Sequence, residues 1–152
     1  NGAINFDDLM GERSYSRFGA YSQSKLANVL FTQELNKKLE EKGYATRSMV
    51  AHPGGSNTNL GEKADMNPIV KTLFMGLFGL LAQPAAKGAL PQLYAATDKN
   101  AKAGAYYGPD GFNEFSGYPK LAKVPKSAQN MQAQEKLWKV SEELTKVSFL
   151  SD

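Results

Sequence analysis

The sequence predicts an α/β fold, and three observations carry that expectation. From Ala20 to about Lys42, apolar Leu26, Leu30, Phe31, Leu35 and Leu39 recur at three- and four-residue steps. That is the helical period, and Gly43 stands just past its end as a stop. Thr46–Ala51 follows at once as a short strand, so a long helix, a glycine turn and a strand succeed one another as α/β units do. The strand then closes in His52-Pro53-Gly54-Gly55 and a loop over residues 54–61, the place outside a strand's carboxyl end where open α/β sheets hold ligands.

Along the chain, residues 1–20 read as irregular, punctuated by Gly2, Asp7, Asp8, Gly11, Ser14, Ser16 and Gly19. Residues 66–82 are strongly apolar, and Pro68 and Lys71 keep the run below the ~18 residues that span a bilayer. A helix is expected from Pro84 to about Thr97, kinked at Pro91. Gly104 to Pro109 reads as a last short strand, and residues 110–126, with Pro119 and Pro125, as an extended tail. Ser127 then caps a final amphipathic helix to about Lys146, with Met131, Leu137, Trp138 and Leu144 on one side.

Three or four helices with two strands make an incomplete architecture, since two strands offer too little sheet for those helices to cover. The opening Asn1-Gly2-Ala3-Ile4-Asn5, with no initiator Met, reads as an interior point of a longer protein. The expectation is one domain portion in three parts: helix, strand and loop over 20–60, a lid and following helix over 61–103, and the last strand and helix over 104–152.

Composition narrows the function classes. Of 152 residues, 41% are apolar and 22% charged, as in globular proteins. The net charge of +3 is scattered, with Lys37, Lys38 and Lys42 beside Glu34, Glu40 and Glu41, so no phosphate-tracking face is expected and nucleic acid is a poor partner. The absence of cysteine excludes disulfides and thiolate catalysis, and the lone His52 argues against a transition-metal site. With no signal peptide pattern in this stretch, the expected compartment is the cytoplasm.

The chemistry centres on Tyr21-Ser22-Gln23-Ser24-Lys25. A spacing of four puts Tyr21 and Lys25 on one helical face, one turn apart. A phenol ordinarily keeps its proton to about pH 10, and a neighbouring ammonium favours the phenolate. A tyrosine so placed can protonate a carbonyl oxygen as hydride arrives, or deprotonate an alcohol in reverse. The bare pair arises readily by chance in a chain with 7 Tyr, and its bland reading is two surface side chains on an ordinary helix.

Residues 21–35, Tyr-Ser-Gln-Ser-Lys-Leu-Ala-Asn-Val-Leu-Phe-Thr-Gln-Glu-Leu, resemble the active-site helix of the short-chain dehydrogenase/reductase family. The nearest likeness is to the branch of retinol dehydrogenases and light-dependent protochlorophyllide reductases. The resemblance continues through Ala51–Leu60, which is similar to the family's strand and Pro-Gly-x-x-x-Thr loop. It runs on through the Pro84 helix, Tyr107-Gly108-Pro109 and Leu137-Trp138-x-x-Ser141-Glu142, and so covers the chain in order.

The resemblance implies the carboxyl-terminal part of a Rossmann-type doubly wound parallel sheet with flanking helices. It implies an oxidoreductase moving hydride between NADP or NAD and a small carbonyl or alcohol substrate. Tyr21 would be the acid/base, and Lys25 would favour its ionised form and hydrogen-bond the nicotinamide ribose. Pro53, Gly54 and Gly55 would shape the nicotinamide-facing loop, with Ser56 and Thr58 meeting the carboxamide or pyrophosphate. Ser56 departs from the family's usual Val or Ile. The apolar run falls where the family has its substrate lid, so Met66, Leu73 and Phe74 would line a lipophilic pocket. Core packing, a subunit contact and shallow membrane contact through 66–82 are the alternatives for that run. The 20–42 helix would also serve a homodimer.

The family's Gly-rich phosphate turn, its Asn-Asn-Ala-Gly segment and its catalytic Ser match nothing in this chain, and would precede Asn1. This stretch alone is therefore expected to be inactive. Gly55 and Gly61 with Lys63 and Ala64 do not make a phosphate loop. His52, held extended before Pro53, is expected to order the loop rather than act as a base. Two other readings stand beside the oxidoreductase: a non-catalytic fragment or degenerate member that binds a protein or membrane surface through exposed apolar faces, and a nucleotide-sugar epimerase or dehydratase.

Overall fold

In the computed structural model, which describes residues 2–55 and 83–150, Ser16 decides where the long helix begins. Its backbone is extended (φ −129°, ψ 125°), and its hydroxyl accepts from the Gly19 N–H at 3.3 Å, satisfying one of the first-turn donors. Helix α1 therefore spans Arg17–Glu41, one turn earlier than the apolar period alone indicates. It stops where glycine was expected to stop it. Gly43 adopts φ +70°, the Tyr44 N–H reaches the Leu39 carbonyl (2.9 Å) and the Gly43 N–H the Glu40 carbonyl (3.0 Å), which is the Schellman pattern.

The described residues form two units. The first takes in the described parts of Asn1–Val50, Lys102–Ala105 and Lys123–Asp152. Its core joins Ile4, Leu26, Val29, Leu30, Ala128 and Leu137, with Phe6, Val50 and Val124 packed at its margin. Leu30 is 0% exposed, and burying a leucine fully is worth about 1.5–3 kcal/mol. Phe31, expected in the apolar stripe, is instead largely exposed and stacks on Trp138 with ring centroids 5.4 Å apart.

The last helix starts later than expected. Lys126–Gln129 forms a 3₁₀ turn, and α4, Met131–Thr145, begins after it. The cap is Asn130, whose side-chain oxygen accepts from the Ala133 N–H at 3.1 Å, not Ser127. Leu137 and Trp138 of this helix are buried, but Met131 and Leu144 are exposed, so its apolar face is narrower than its sequence pattern.

The second unit takes in the described parts of Ala51–Ala101 and Tyr106–Ala122. Between Pro84 and Thr97 there are two helices: α2, Ala85–Gly88, and α3, Leu90–Thr97. Pro91 sits in the first turn of α3, where its missing N–H would have had no intrahelical partner. The proline opens a helix rather than kinking one. It is also fully buried.

Strands β1 (Val50–Ala51), β2 (Tyr106–Pro109) and β3 (Pro119–Leu121) form a sheet in that order. The Val50 N–H donates to the Ala105 carbonyl (3.0 Å) and the His52 N–H to the Tyr107 carbonyl (2.9 Å), so both chains advance in the same direction and the pair is parallel. The strand expected over 46–51 is reduced to its last two residues, because Gly104, at φ +67°, bends the partner chain before regular pairing begins.

The expected tail over 110–126 holds instead a third strand. It is antiparallel to β2, pairing Tyr107 with Leu121, Gly108 with Lys120 and Pro109 with Pro119. Pro119 stands at the first position of this strand, where its missing N–H takes no donor from the ladder. The fold is thus α/β with a mixed sheet: a parallel pair, as the Rossmann-type expectation requires, plus an antiparallel third strand. No helix among the described residues is long and apolar enough to cross a membrane.

Candidate active site

Tyr21 and Lys25 lie in the second and third turns of α1. Three ties hold that end of the helix. Ser16 caps it, the Gln23 side chain accepts from the Asn5 N–H (2.9 Å), and the same amide donates to the Leu9 carbonyl (3.2 Å). The 3₁₀ turn Phe6–Asp8 is thereby stapled to the helix flank, while the opposite face stays open. Ser24, between the two candidates, turns its hydroxyl back to the Tyr21 carbonyl (2.7 Å).

On the open face Tyr21 is 52% exposed, and the Lys25 Nζ lies 5.4 Å from the centre of its ring. An ammonium over a phenol face is attracted by the ring quadrupole, which keeps the two groups together. Among the described residues Lys25 has no carboxylate partner, so its three N–H donors are available to a ligand. Phe18, one turn before Tyr21, is 80% exposed on the same side, a flank that its irregular sequence surroundings did not reveal.

The second group of candidates lies in the other unit. Gly54 adopts φ +65°, a conformation that L side chains rarely take, so its glycine is required by the backbone itself. A Cβ there would also meet the Glu114 carbonyl at 2.8 Å and the Pro109 ring at 2.7 Å. Gly55 is required for another reason: a Cβ would run into the ring of Phe115. Its N–H donates to the Phe115 carbonyl (2.7 Å) and its own carbonyl accepts from the Gln83 N–H (2.9 Å). The Pro53 carbonyl accepts from the Gln83 side-chain amide at 2.8 Å.

His52 orders this turn, as expected. Its Nδ1 accepts from the Gly54 N–H (3.3 Å), which leaves Nε2 to carry the hydrogen of the neutral ring and donate to the Glu114 carboxylate at 3.2 Å. The Tyr106 ring leans against it at 5.1 Å. Burial pushes the Tyr106 phenol above its usual range, and the Glu114 carboxylate adds to the shift, so this tyrosine stays protonated.

Gln83, Glu114 and Phe115 were not singled out in the sequence. Residues 83 and 114–115 stand 28 or more positions from the turn they touch, and no local pattern marks them. Ser56, Thr58, Met66, Leu73 and Phe74 lie outside the described residues. Among the described residues no group of three or more His, Cys, Asp or Glu side chains is placed to hold a metal ion.

Comparison with known proteins bears on this arrangement. No family model matches the chain. Human retinol dehydrogenase 14 is 37% identical over 143 residues, which is 93% of this chain and 39% of that protein. Human retinol dehydrogenase 12 is 36% identical over 145 residues (94% and 41%), and human retinol dehydrogenase 13 is 33% identical over 147 residues (94% and 41%). The chain thus spans about two fifths of the length of the curated relatives it matches. Among solved structures, an uncharacterized protein from Mycobacterium paratuberculosis superposes with a TM-score of 0.72 at 34% identity, over 97% of this chain and 47% of that one. The fold it shares is the Rossmann-like one that the sequence resemblance implied. By sequence over nearly its whole length and by fold, the chain is a relative of the retinol dehydrogenases in the short-chain dehydrogenase/reductase family.

Proposed function

We propose that the polypeptide carrying this chain is an NAD(P)-dependent oxidoreductase acting on a small, lipophilic carbonyl or alcohol substrate, with Tyr21 as its general acid/base and Lys25 as its partner. The observation that carries the reading is the joint placement of Tyr21 and Lys25 on one open helical face, with the ammonium over the phenol ring. The relatives' names, retinol dehydrogenase, favour an apolar alcohol or aldehyde as the substrate class.

The residues present fit a nicotinamide cofactor. Lys25 offers three donors suited to ribose hydroxyls, and the Pro53–Gly55 turn presents a backbone conformation that only glycine adopts easily. When bound, the nicotinamide would supply or accept the hydride. In the reducing direction the Tyr21 hydroxyl gives its proton to the substrate oxygen as the carbon gains hydride, so a C=O becomes a CH–OH. In the oxidising direction the phenolate takes that proton back. The Lys25 ammonium lies over the ring of that tyrosine, so a cation accompanies the group that changes charge in the step.

The test uses the full-length polypeptide, a panel of long-chain and cyclic aldehydes, ketones and alcohols, and NADPH or NADH. Tyr21→Phe should lower turnover about 10²–10⁴-fold, the usual worth of a positioned acid/base, while dinucleotide affinity stays near that of the unmodified protein. A Tyr21→Phe protein that keeps full turnover would overturn the assignment. A polypeptide that neither binds dinucleotide nor turns over any substrate favours the non-catalytic reading instead.

A further inference from the structure

The reading of the Pro53–Gly55 turn as nicotinamide-facing makes its shape matter for cofactor binding, and three side chains converge on that shape. From one side comes the chain His52–Glu114. The Gly54 N–H donates to His52 Nδ1, and the other ring nitrogen meets a Glu114 carboxylate oxygen at 3.2 Å. The second carboxylate oxygen lies 4.0 Å from the Lys120 Nζ. Gly108 leaves the room for this ring, since a Cβ there would strike His52 Nε2.

From the other side comes Gln83, only 4% exposed. Its side-chain amide donates to the Pro53 carbonyl, its backbone N–H donates to the Gly55 carbonyl, and its side-chain oxygen accepts from the Gly117 N–H at 3.0 Å. One buried residue, by its side-chain amide at Pro53 and its backbone N–H at Gly55, therefore joins both ends of the turn to the loop that carries Glu114. An apolar side chain would fill the same space with neither side-chain bond, keeping only the backbone bond to the Gly55 carbonyl.

The loop itself is held in an uncommon conformation. Asn113 and Glu114 have φ of +48° and +57°, in the left-handed region that non-glycine residues seldom occupy. Such conformations persist where surrounding contacts over-determine them, and they concentrate at functional sites. Here the strained residue is the one whose carboxylate reaches the turn through His52. The carbonyl of the next residue, Phe115, accepts from the Gly55 N–H.

We propose that Glu114 and Gln83 are positioning residues for the dinucleotide, holding the Pro53–Gly55 turn in the conformation that meets the nicotinamide, Glu114 through His52 and Gln83 through the Pro53 and Gly55 carbonyls. The proposal rests on the cofactor-facing reading of the turn given above and goes beyond it by naming what sets the geometry.

The experiment compares the unmodified full-length polypeptide with Glu114→Ala, Glu114→Gln and Gln83→Met. It follows amide hydrogen exchange at Gly54 and Gly55, the Kd for NADPH and NADH by fluorescence, and KM against kcat. Glu114→Ala and Gln83→Met should speed exchange at both glycines and weaken dinucleotide binding about tenfold, with KM rising more than kcat falls. Glu114→Gln, whose amide oxygen still accepts from His52, should stay within about twofold of the unmodified protein. If Glu114→Ala does not fold, Glu114→Asp replaces it: aspartate tolerates the left-handed backbone but withdraws the carboxylate from His52, and should behave as the alanine variant was expected to.

Unchanged glycine exchange and unchanged affinity in these variants, or a glutamine variant as impaired as the alanine one, overturn the proposal while leaving the cofactor reading intact. An unmodified protein that binds neither dinucleotide overturns the cofactor reading, and the proposal falls with it.

Discussion

The face of α1 that carries Tyr21 and Lys25 and the turn over Pro53–Gly55 are built on opposite plans. The helix face is open: Tyr21 is half-exposed, the Lys25 ammonium lies over its ring, and both backbones are held by ordinary helix bonds. In the turn, the Pro53 carbonyl, the Gly54 N–H and both polar groups of Gly55 have partners inside the unit. A reacting side chain needs a rigid base and a free end, which a helix supplies by itself. A turn has no intrinsic shape, so its neighbours must impose one.

Substitutions at the two places should therefore fail in different ways. Tyr21→Phe should remove about 10²–10⁴-fold of turnover yet leave the unfolding free energy from a urea melt within about 0.5 kcal/mol of the original, since an exposed hydroxyl leaves no cavity. A large loss of stability would mean that the helix face is not the free surface described. Gly55→Ala should do the reverse, destabilising by about 1–3 kcal/mol because a methyl must displace the Phe115 ring. In the double variant with Phe115→Ala the two costs should sum to less than their separate values, measured by chemical denaturation.

Glu34 sharpens the contrast from within the first unit. It is 2% exposed, one carboxylate oxygen has no hydrogen-bond partner among the described residues, and the ammonium groups of Lys37 and Lys38 stand 3.9 Å from the other. Replacing an imperfectly paired buried charge by an apolar group of similar length is often neutral or stabilising. Glu34→Met should thus leave stability unchanged or raise it by about 1 kcal/mol, in a thermal or urea melt. A loss of several kcal/mol would show the carboxylate to be better satisfied than its geometry indicates.

Two smaller effects concern the helix and turn ends. Asn130→Ala should cost about 1 kcal/mol by removing the cap of α4, and Ser127→Ala less than about 0.5 kcal/mol, because its position precedes the helix. Asp8 accepts from the N–H groups of Glu12, Arg13 and Ser14, and these bonds, that to Ser14 foremost, hold its carboxyl below the ordinary range. A depressed carboxylate contributes stability that is present above its unfolded value, near 3.9, and lost as pH falls through the lower folded value. The protection of the amides of residues 12–14, taken relative to their intrinsic exchange, should therefore fall below about pH 4, and Asp8→Ala should show the lower protection at all pH.

How much of this was legible in the sequence follows the range of the interactions involved. The carboxyl end of α1 could be read because Gly43 and Tyr44 close it within five residues. The common face of Tyr21 and Lys25 could be read because a four-residue step is one helical turn. Ser16 and Asn130 are caps by residue type, but apolar periodicity started the first helix at Ala20 and Ser127 was taken as the cap of the last, so both helix starts were misplaced. Pro91 was read by residue type as a kink, and Pro119 as part of an extended tail. Only their positions within a first turn and at a strand start made them harmless.

The sequence by itself determined the alternation of helix and strand, the helix that presents Tyr21 and Lys25, and the family likeness from which a chemistry is proposed for those two residues. Each of these depends on neighbours within a turn or two, or on the ordered run of side chains itself. The tertiary structure alone decided that Gln83 reaches Pro53 across 30 residues and that Glu114 reaches His52 across 62. It alone decided that the Phe115 ring occupies the space a side chain at 55 would need. The physical reason is that a turn's shape is fixed by the hydrogen-bond partners it finds, and those partners are brought to it only by the fold.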